Sequence, residues 1–463
     1  MKVTAVETIE CDAGWRNYYF VKLSTDTDVI GWSEYDESFG SPGVGAIIEK
    51  LKNRLIGLSV NNHEQFVQLA SSLTRPATGG VIAQAIGALE NALIDAKAKG
   101  LQVPCYELFG GKMRDHIPVY WSHCPAWRIN HSQFYGNPVT DLAGVKKTAV
   151  EVRERGFKAL KTNLFIHEDG PLFAWRPGFA VPFQPDLPVS PKLIRNICEH
   201  LEALRSGGGP DMGILIDMNF NAKPEGLLKL LRAIDDFNLF WVEIDIFNPK
   251  ALAYVRQHSK SPISSCETLM GVREFLPYFE HQSMDIAIID GVWNGMWQAL
   301  KIAAVADAHD INVAPHNFYG DLCTMMNIHF AAAVPNLHIM EVDVDRIHWE
   351  TELFTHAPEF KDGQLVVPDR PGWGTDPPPI KATDEIEWCG DRNGLLAMRA
   401  FLSLNFPATE CILVVSRASW SVIGGNMLDI LLANIVLPAP GGPIIMRLCA
   451  PAAAISMALL ACA

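Results

Sequence analysis

Hydrophobic and polar residues alternate through the first 36 residues of the chain, in stretches such as VTAVETIE, YYFVKLST and VIGWSEY. This period of two, combined with many β-branched and aromatic residues, predicts a short antiparallel meander. Helical patterns follow in GVGAIIEKLKNRLIG, EQFVQLASSL and IAQAIGALENALIDAKAKG. The third helix is the longest, and we expect it to end at its last glycine, Gly100.

Short apolar strands alternate with amphipathic helices from about residue 117 onward. The eight strand patterns are IPVYWSH, GFKALKTN, GILIDMN, LFWVEID, PISSCE, DIAIID, INVAPH and LHIMEVD. The helical patterns between them include EGLLKLLRAIDDF, PKALAYVRQ, VREFLPYFEH and MWQALKIAAVADAHD. Strict alternation predicts a parallel sheet, and eight units in about 230 residues fit a closed barrel better than an open sheet.

The predicted fold is therefore α/β, a (β/α)8-type TIM barrel with an α+β capping domain. We assign residues 1–115 to the capping domain and residues 116–345 to the barrel. A return segment, 346–381, carries the hairpin pattern FKDGQLVVPDRPGWG, which leads back to the capping domain. The length of 463 residues is consistent with two domains and an appendage.

The last part of the chain, 382–463, has a different composition. From Trp420 onward its only charged residues are Asp429 and Arg447. Asp429 and the nearby Pro438 and Pro440 interrupt any apolar span of the ~20 residues that a transmembrane helix needs. We interpret this tail as a non-native or disordered appendage, such as translation after a frameshift, with a membrane-attached or partner-binding tail as the alternative.

Composition limits the class of partner and the compartment. A formal net charge of -14 leaves nothing to offset phosphate repulsion, so we expect neither nucleic acid nor an anionic membrane as a partner. The ten cysteines include no CxxC pair and indicate reduced, mostly buried thiols. Because the N-terminus, MKVTAVETIECDAGW, lacks the apolar run of a signal peptide, we expect a cytoplasmic protein.

Charged residues recur near the C-terminal ends of the predicted barrel strands. They are Lys161, Asp217, Glu243, Glu267, Asp290, His316 and Glu341. From Asp217 onward the steps (217 to 243, 267, 290, 316, 341) are 26, 24, 23, 26 and 25 residues, each the length of one β/α unit. The side chains therefore converge on the C-terminal mouth of the barrel, where barrel enzymes keep their active sites. One such carboxylate has a plain interpretation as a hydrogen-bonded core residue, but six in register require a cation.

Three of these residues, Asp217, Glu243 and Glu267, lie on consecutive strands and offer only oxygen ligands. Hard oxygen donors with room for water and a substrate carboxylate are typical of Mg²⁺ rather than Zn²⁺, although ligand type leaves calcium and manganese open.

The sequence resembles the enolase superfamily, specifically its mandelate racemase/muconate lactonizing enzyme branch, over roughly residues 1–380. The resemblance is carried by ALENALIDAKAKGLQVPCYELFGG, GFKALKTN, ILIDMN, WVEID, SCET, DIAIID and VAPHN. It implies a single Mg²⁺ bound by Asp217, Glu243 and Glu267. It also implies a His316–Asp290 acid/base dyad, an electrophilic Lys161 and a substrate-facing Glu341, the four residues that we take as catalytic. Members of this branch tend to form homo-oligomers, and we expect one here.

The chemistry of proton removal agrees with these roles. Abstraction of a proton beside a carboxylate produces a dianionic enediolate, which needs positive charge at both oxygens. A metal ion at the carboxylate and Lys161 at the second oxygen supply that charge. An imidazole supported by a carboxylate, as in His316 with Asp290, is a suitable base at neutral pH. A core histidine satisfied by hydrogen bonds is the alternative for His316.

Two departures from the family pattern bear on the reaction. Racemases of this branch carry a K-x-K motif on the second strand, whereas this chain has Lys161-Thr162-Asn163. Asparagine does not act as a base, so two-base racemisation is disfavoured and the chain is more similar to galactonate-type acid-sugar dehydratases. Those enzymes place a histidine two residues after the first metal ligand, where this chain has Asn219. His316 itself, or else His167 or Tyr319, is then the candidate general acid, the last two also being readable as plain loop residues.

Loops at the mouth are predicted to determine specificity. The long segment after the second strand, NLFIHEDGPLFAWRPGFAVPFQPDLPVS, has the composition of a lid, or of a packing surface for the cap or another subunit. We expect Trp175 and Arg176 from this segment, and Trp15 and Arg16 from the small domain, to contact the substrate. Asn163 and Asn219 complete the predicted substrate-binding set.

The favoured function is dehydration of a small carboxylate, most simply a sugar acid, to a 2-keto-3-deoxy acid. A racemase, epimerase or cycloisomerase that uses the same enediolate is the first alternative. A catalytically silent metal-binding scaffold is the second, and the retention of both the metal set and the His–Asp pair argues against it.

Overall fold

The computed structural model describes residues 1–12, 15–38, 41–75, 79–168, 170–179, 189–346 and 350–377, together with short strands farther along the chain. All structural statements below concern these residues.

The capping domain is an antiparallel meander packed against helices. Its elements are β1 (Val3–Asp12), β2 (Asn17–Thr25), β3 (Ile30–Tyr35), α1 (Val44–Leu51), α2 (His63–Leu73), α3 (Gly80–Leu101) and α4 (Cys105–Leu108). Buried and half-buried positions largely alternate along β2, because one face of the meander covers the helices. The predicted meander is confirmed.

The helix α3 continues past its predicted glycine stop. It ends at Leu101, and Gln102, with φ of 58°, occupies the left-handed position expected of a C-terminal glycine. Gly100 lies inside the helix instead, where a Cβ atom would collide with the side chain of Met1. The predicted helix end was wrong by one residue.

Eight parallel strands form the barrel, as predicted. They are β4 (His116–Ser122), β5 (Ala159–Thr162), β8 (Gly213–Asp217), β9 (Trp241–Glu243), β10 (Ile263–Ser265), β11 (Ile286–Ile289), β12 (Asn312–Pro315) and β13 (Met340–Asp343). A small hairpin, β6 (Phe165–Ile166) and β7 (Phe173–Ala174), follows β5. β13 pairs with β4, and backbone hydrogen bonds from Val313 to Asn336 and from His338 to Val313 close the ring. The fold class is confirmed.

Helices surround the barrel. They are α5 (Ala126–Asn130), α6 (Leu142–Glu154), α7 (Pro191–Gly208), α8 (Pro224–Ile234), α9 (Pro249–Gln257), α10 (Gly271–Glu280), α11 (Gly291–Asn294), α12 (Met296–Asp307) and α13 (Asp321–Ala333). Several begin with a proline in the first turn, where a missing N–H costs nothing. In α8 the leucines and the last isoleucine face the strands, as the sequence pattern predicts.

The chain after β13 returns to the capping domain. The hairpin β14 (Phe360–Lys361) and β15 (Gln364–Val366) pairs antiparallel with β4. Farther on, the backbone N–H of Trp373 donates to Asp95 of α3 at 2.9 Å, and its indole N–H donates to the carbonyl of Trp32 at 3.0 Å. These buried contacts attach the return segment to the cap.

Two further contacts hold the cap against the barrel. Glu34 of β3 accepts hydrogen bonds from the backbone N–H groups of Gly320 and Cys323, at 2.6 and 2.9 Å, and so caps the N-terminus of α13. Gly87 of α3 lies so close to Gly295 that a Cβ atom at Gly87 would come within 2.7 Å of the Gly295 nitrogen. The cap and barrel therefore meet at backbone distance.

The tail 382–463 lies mostly outside the described residues. Its described parts are β16 (Ala382–Gly390), β17 (Leu396–Leu402), β18 (Ile412–Val415), β19 (Ile435–Leu437), β20 (Ile444–Met446) and β21 (Leu448–Cys449). The strand β18 pairs antiparallel with β1. The interpretation of the tail as a non-native appendage stays a prediction.

Two further properties of the described residues concern their cysteines and their helices. The six cysteines that precede residue 382 are all free, and five of them are buried. No helix in the described part of the chain is long and apolar enough to cross a bilayer.

Candidate active site

A cavity of about 420 Å³ opens at the C-terminal ends of the barrel strands. Its lining includes Lys161, Asp217, Glu267 and His316 from the predicted set, together with several aromatic side chains. A concave site with an apolar wall and a few convergent polar groups at this face of a barrel is typical of an enzyme active site.

Lys161 lies at the centre of the charged cluster on β5. Its Nζ atom is 3.1 Å from Glu243 Oε2 and 2.8 Å from Glu341 Oε1, and all three side chains are buried. Burial lowers the pKa of Lys161, but the two carboxylates outweigh this effect and hold the pKa well above its ordinary value. The ammonium group therefore keeps its proton and is suited to stabilise negative charge.

The first two predicted metal ligands are neighbours in the sheet. Asp217 at the end of β8 is the register partner of Glu243 at the end of β9. The backbone and side-chain amides of Asn219 donate to the two oxygens of Asp217 at 2.8 and 2.9 Å. Burial raises the pKa of Asp217 to about 8, and Glu243 contributes to the same rise. Burial likewise raises the pKa of Glu267, which follows β10, well above its usual range.

The predicted ligands fit a divalent cation in the chemistry of their oxygen donors, and they lie at or just after the ends of three consecutive barrel strands. Within the described ranges, no group of three or more His, Cys, Asp or Glu side chains is arranged to hold a metal ion. Glu243 Oε1 is nevertheless buried without a hydrogen-bond partner. Repulsion between Glu267 and both Asp217 and Glu243 raises the pKa of Glu267 further. Buried carboxylates that repel one another and leave an oxygen unpaired are suited to a hard cation such as Mg²⁺.

The dyad predicted from the sixth and seventh strands is present. Asp290 Oδ2 lies 2.6 Å from His316 Nδ1, which leaves Nε2 directed toward Glu267 at 3.4 Å. Tyr319 donates its hydroxyl to the same Asp290 oxygen at 2.6 Å, and the backbone N–H of Trp293 donates to the other at 2.7 Å. Burial lowers the pKa of His316, but Glu267 and the bond to Asp290 more than offset it and raise the pKa to about 10.

Both carboxylate oxygens of Glu341, on β13, accept hydrogen bonds. Its Oε1 accepts from Lys161 and from the Ser122 hydroxyl, and its Oε2 accepts from the backbone N–H of Asn317 at 2.8 Å. Burial raises the pKa of Glu341, whereas Lys161 and then His316 lower it, and the net pKa falls below the usual range of a carboxyl group. Glu341 is therefore ionised.

Four of the six predicted substrate-binding residues line the cavity: Asn163, Asn219, Trp175 and Arg176. Trp15 and Arg16 do not line it. Trp15 lies behind the wall, stacked at 4.6 Å against the ring of His131. The lid segment that carries Trp175 and Arg176 continues through 180–188, which lies outside the described residues.

Arg16 is a link between the cap and the barrel. It is buried, donates to Asp343 Oδ2 at 3.0 Å and to the carbonyl of Phe318 at 2.5 Å. Because a buried guanidinium is costly unless it is paired, these two acceptors fix its position. The prediction that Arg16 contacts substrate does not match this geometry.

The two loop candidates for the general acid are engaged elsewhere. His167 Nε2 is 3.1 Å from Glu199, and Tyr319 donates its proton to Asp290. Neither residue lines the cavity.

Sequence reasoning missed two residues at the mouth. His123, directly after β4, lines the cavity, and burial lowers its pKa to about 3, so that it is a neutral imidazole. Asp245, two residues after Glu243, is buried and lines a small separate pocket with Cys266 and Tyr278. A signal existed for both, because each is a polar residue at or just past the end of a predicted strand.

The backbone at the mouth is strained at three of these strand ends. His123, Asn219 and Cys266 are non-glycine residues with positive φ values of 49°, 43° and 89°. Such conformations concentrate at functional sites, where surrounding contacts hold them. Each precedes or carries a side chain of the proposed site.

Comparison with known families and structures places this geometry in context. The sequence model for the enolase C-terminal domain-like family matches residues 144–381, and that for the mandelate racemase/muconate lactonizing enzyme N-terminal domain matches residues 3–110. The tail lies beyond both matches.

Curated relatives include sugar-acid dehydratases. A D-xylonate dehydratase of Haloferax volcanii is 28% identical over 386 residues, covering 81% of this chain and 86% of the relative. A D-mannonate dehydratase of Sphingomonas sp. is 26% identical, covering 78% of this chain and 89% of the relative.

A solved structure shares more of the sequence. It belongs to a protein of Burkholderia xenovorans strain LB400, provisionally named an L-alanine-DL-glutamate epimerase, with 69% identity and a TM-score of 0.80 over 81% of this chain and 96% of that one. A second structure of that protein, with 69% identity, a TM-score of 0.80 and coverage of 81% and 94%, is bound to magnesium and fumarate.

Proposed function

The chain belongs to the mandelate racemase/muconate lactonizing enzyme family of the enolase superfamily, and on that premise we propose that it is a magnesium-dependent dehydratase of sugar acids. The reaction removes the α-proton and the β-hydroxyl as water and yields a 2-keto-3-deoxy acid. The dehydratases among its relatives support this class of substrate.

One observation carries the choice of dehydration: His316 is an imidazole supported by a buried carboxylate, and the second barrel strand offers no base to complement it at Lys161 or Asn163. His316 has its Nδ1 fixed by Asp290, so that Nε2 is the atom available for proton transfer. Lys161 is held between two carboxylates and keeps its proton, and Asn163 has no basic atom. A second base for proton delivery to the opposite face is therefore not supplied by this strand, whereas elimination needs no second base.

The carboxylates Asp217, Glu243 and Glu267 are the residues that would hold the metal. A divalent cation held there would supply positive charge at the substrate carboxylate and, by neutralising Glu267, would lower the pKa of His316 toward the range of a base. Glu267 makes the largest upward contribution to the pKa of His316, so neutralising Glu267 would have the largest effect on that pKa.

The protein residues then divide the work. His316 takes the α-proton, and the electron pair of the C–H bond moves toward the carboxylate, where the Lys161 ammonium stabilises the added charge. The pair returns to form the double bond as the C–O bond at the β-carbon breaks. The leaving hydroxide takes the proton from His316, now an imidazolium, and departs as water. The enol product tautomerises to the 2-keto acid.

The rest of the cavity suits a hydroxylated chain. His123 stays neutral, so its imidazole hydrogen-bonds a substrate hydroxyl without competing for the proton. Asn163 and Asn219 offer amide donors and acceptors, and Arg176 offers a guanidinium at the cavity wall. Trp175 provides an apolar surface for carbon atoms.

Epimerisation is the second candidate, because the Burkholderia relative carries an epimerase name. It uses the same enediolate but returns a proton to the α-carbon and breaks no C–O bond. The two candidates therefore differ in their product, although not in their first step.

A screen of aldonic and aldaric acids with Mg²⁺, with semicarbazide detection of 2-keto products, tests the proposal. We expect turnover with at least one sugar acid, and loss of turnover with retained metal binding in His316→Asn. The exposed His258 provides a matched control, His258→Asn, which should be fully active. Deuterium uptake at the α-carbon without a keto product, or turnover only of dipeptides or N-acyl amino acids, would favour epimerisation. Unchanged behaviour of His316→Asn would favour a non-catalytic scaffold.

We also propose a cytoplasmic location, supported by the free and mostly buried cysteines. A homo-oligomeric state stays a prediction from the family.

A further inference from the structure

Arg176 places a positive charge at the cavity wall that no step of the proposed reaction uses. It belongs to the segment after β5, lines the cavity and is exposed. Within the described residues its guanidinium has no carboxylate at ion-pair distance, and its side chain makes no hydrogen bond. The guanidinium is therefore available to a ligand in the cavity.

The other charges that line the cavity already have a role. Lys161 is held between two carboxylates, at 3.1 and 2.8 Å, and Asp217 and Glu267 belong to the proposed metal site. Of the lysines and arginines that line the cavity in the described part of the chain, Arg176 is thus the one without a carboxylate partner. The metal site and Lys161 account for one substrate carboxylate, and they leave Arg176 without an anion.

The wall near Arg176 offers no counter-charge. Burial and then the charges of Arg176 and Arg16 lower the pKa of His131 to about 4, so this neighbour is a neutral imidazole. The ring of His131 lies 4.6 Å from that of Trp15 and 5.8 Å from that of Trp127. This part of the wall is aromatic and neutral, so a counter-ion for Arg176 has to come from the ligand.

The backbone that carries Arg176 is fixed on both sides. The N–H of Trp175 donates to the carbonyl of Leu164 at 2.7 Å, and the N–H of Gly178 donates to the buried side chain of Asn221 at 2.9 Å. A Cβ atom at Gly178 would collide with a neighbouring aromatic ring, which shows how closely this turn packs. A side chain that starts from a fixed backbone loses less conformational freedom when it binds an anion.

We propose that Arg176 binds a second carboxylate at the far end of the substrate, so that the preferred sugar acid is a diacid (an aldaric acid) rather than a monoacid. The inference rests on the proposed function and names its substrate class. A planar guanidinium donates to both oxygens of a carboxylate, an arrangement that a terminal hydroxyl does not reproduce. The neutral side chains of His123 and Asn163 then serve the hydroxyls between the two carboxylates.

Pairs of acids that differ only at the terminal carbon test the proposal. D-Galactarate with D-galactonate, D-glucarate with D-gluconate, and the corresponding pairs of the other six-carbon diastereomers are assayed with Mg²⁺ and semicarbazide. We expect the best substrate to be a diacid. Its kcat/KM should exceed that of its monoacid partner by about 10- to 100-fold, the contribution of a hydrogen bond between charged groups.

Variants of Arg176 assign this preference to the residue. Arg176→Met should remove most of the preference by lowering kcat/KM for the diacid, with little change for the monoacid. Arg176→Lys keeps the charge but loses the paired hydrogen bonds, so it should be intermediate. Arg232 is an exposed arginine in the last turn of α8 that does not line the cavity, and Arg232→Met should keep the full preference.

The outcomes are distinguishable. A monoacid as the best substrate, or equal losses for both members of a pair in Arg176→Met, would overturn the inference and leave the proposed function intact. Faster turnover of 6-phosphogluconate than of D-glucarate would assign the wall to a phosphate and would overturn it as well. A keto product from none of the acids would contradict the proposed function. Calorimetric binding of the same pairs with Mg²⁺ then decides the inference, which equal affinities within each pair would overturn.

Discussion

Replacing Lys161 by methionine leaves Glu243 and Glu341 without their shared counter-charge. In the structure the ammonium is 3.1 and 2.8 Å from these carboxylates, and the side chains are 3%, 1% and 0% exposed. Breaking a buried pair by removing one partner costs about 3–5 kcal/mol, because the remaining charge is neither solvated nor paired. We expect Lys161→Met to lose that much free energy of unfolding in metal-free buffer at neutral pH.

A surface lysine provides the matched control. Lys301 Nζ lies 2.6 Å from Glu64, but the side chains are 39% and 41% exposed, so solvent screens the pair. Such pairs contribute about 0–1 kcal/mol, and Lys301→Met should cost no more. Urea denaturation in EDTA, followed by tryptophan fluorescence, measures both variants against wild type. Equal stability of Lys161→Met and Lys301→Met would refute the assignment of Lys161 as the counter-charge of a buried cluster.

The pH dependence provides a second check on the same variant. Burial raises the pKa of Glu341 but Lys161 lowers it further, so the folded-state pKa lies below the unfolded value. The resulting stability is present above the unfolded pKa of about 4.3 and is lost as the pH falls toward the folded value. The cost of Lys161→Met should therefore shrink below about pH 4. Lys161→Met with Glu341→Gln should recover part of it at neutral pH.

Two further outcomes are expected. Asp290→Asn removes the negative charge and leaves one acceptor oxygen where the carboxylate offers two, so kcat should fall by about 10³–10⁴-fold with the substrate that the screen identifies. Tyr319→Phe should lose far less, and an Asp290→Asn enzyme within tenfold of wild type would contradict the role of the dyad. Burial raises the pKa of Glu90 to about 8. Above about pH 4.3 the unfolded state releases a proton that the folded state still binds. The free energy of unfolding therefore falls as the pH rises between these two values. Thermal melts should show Glu90→Gln more stable than wild type at pH 8 with little difference near pH 4, and a pH-independent difference would refute this.

Regular spacing is the reason that so much of the barrel mouth is predictable from the sequence. In a (β/α)8 barrel each strand ends at the same height, so charged residues one β/α unit apart must meet at one face. The neighbours Asp217 and Glu243 are in register, and the bond between His316 and Asp290 crosses two adjacent strands. These contacts follow from strand order alone, which the sequence pattern contains.

What the sequence does not contain is the direction of a side chain that leaves a loop. Trp15 and Arg16 belong to a turn of the cap; the partners of Arg16, Phe318 and Asp343, are about 300 residues farther along the chain, and Trp15 packs against Trp127 and His131. His123 was overlooked because the first two β/α units are longer than those from Asp217 onward, so it falls outside the regular spacing. Asp245 was overlooked because it comes after the strand end, although residues two apart in an extended segment share a side.

The backbone contact between Gly87 and Gly295, together with the hydrogen bonds of Glu34 to the start of α13, fixes the capping domain on the barrel. Moving the capping domain away from the barrel would break the buried hydrogen bonds of Glu34. It would also separate Gly87 from Gly295, where the packing leaves no room for a methyl group. The segment after β5 that bears Trp175 and Arg176 lines the cavity and takes no part in these contacts. Substrate access and substrate specificity would then both depend on the segment after β5. Exchanging this segment between relatives should therefore change which acids bind and how fast they bind.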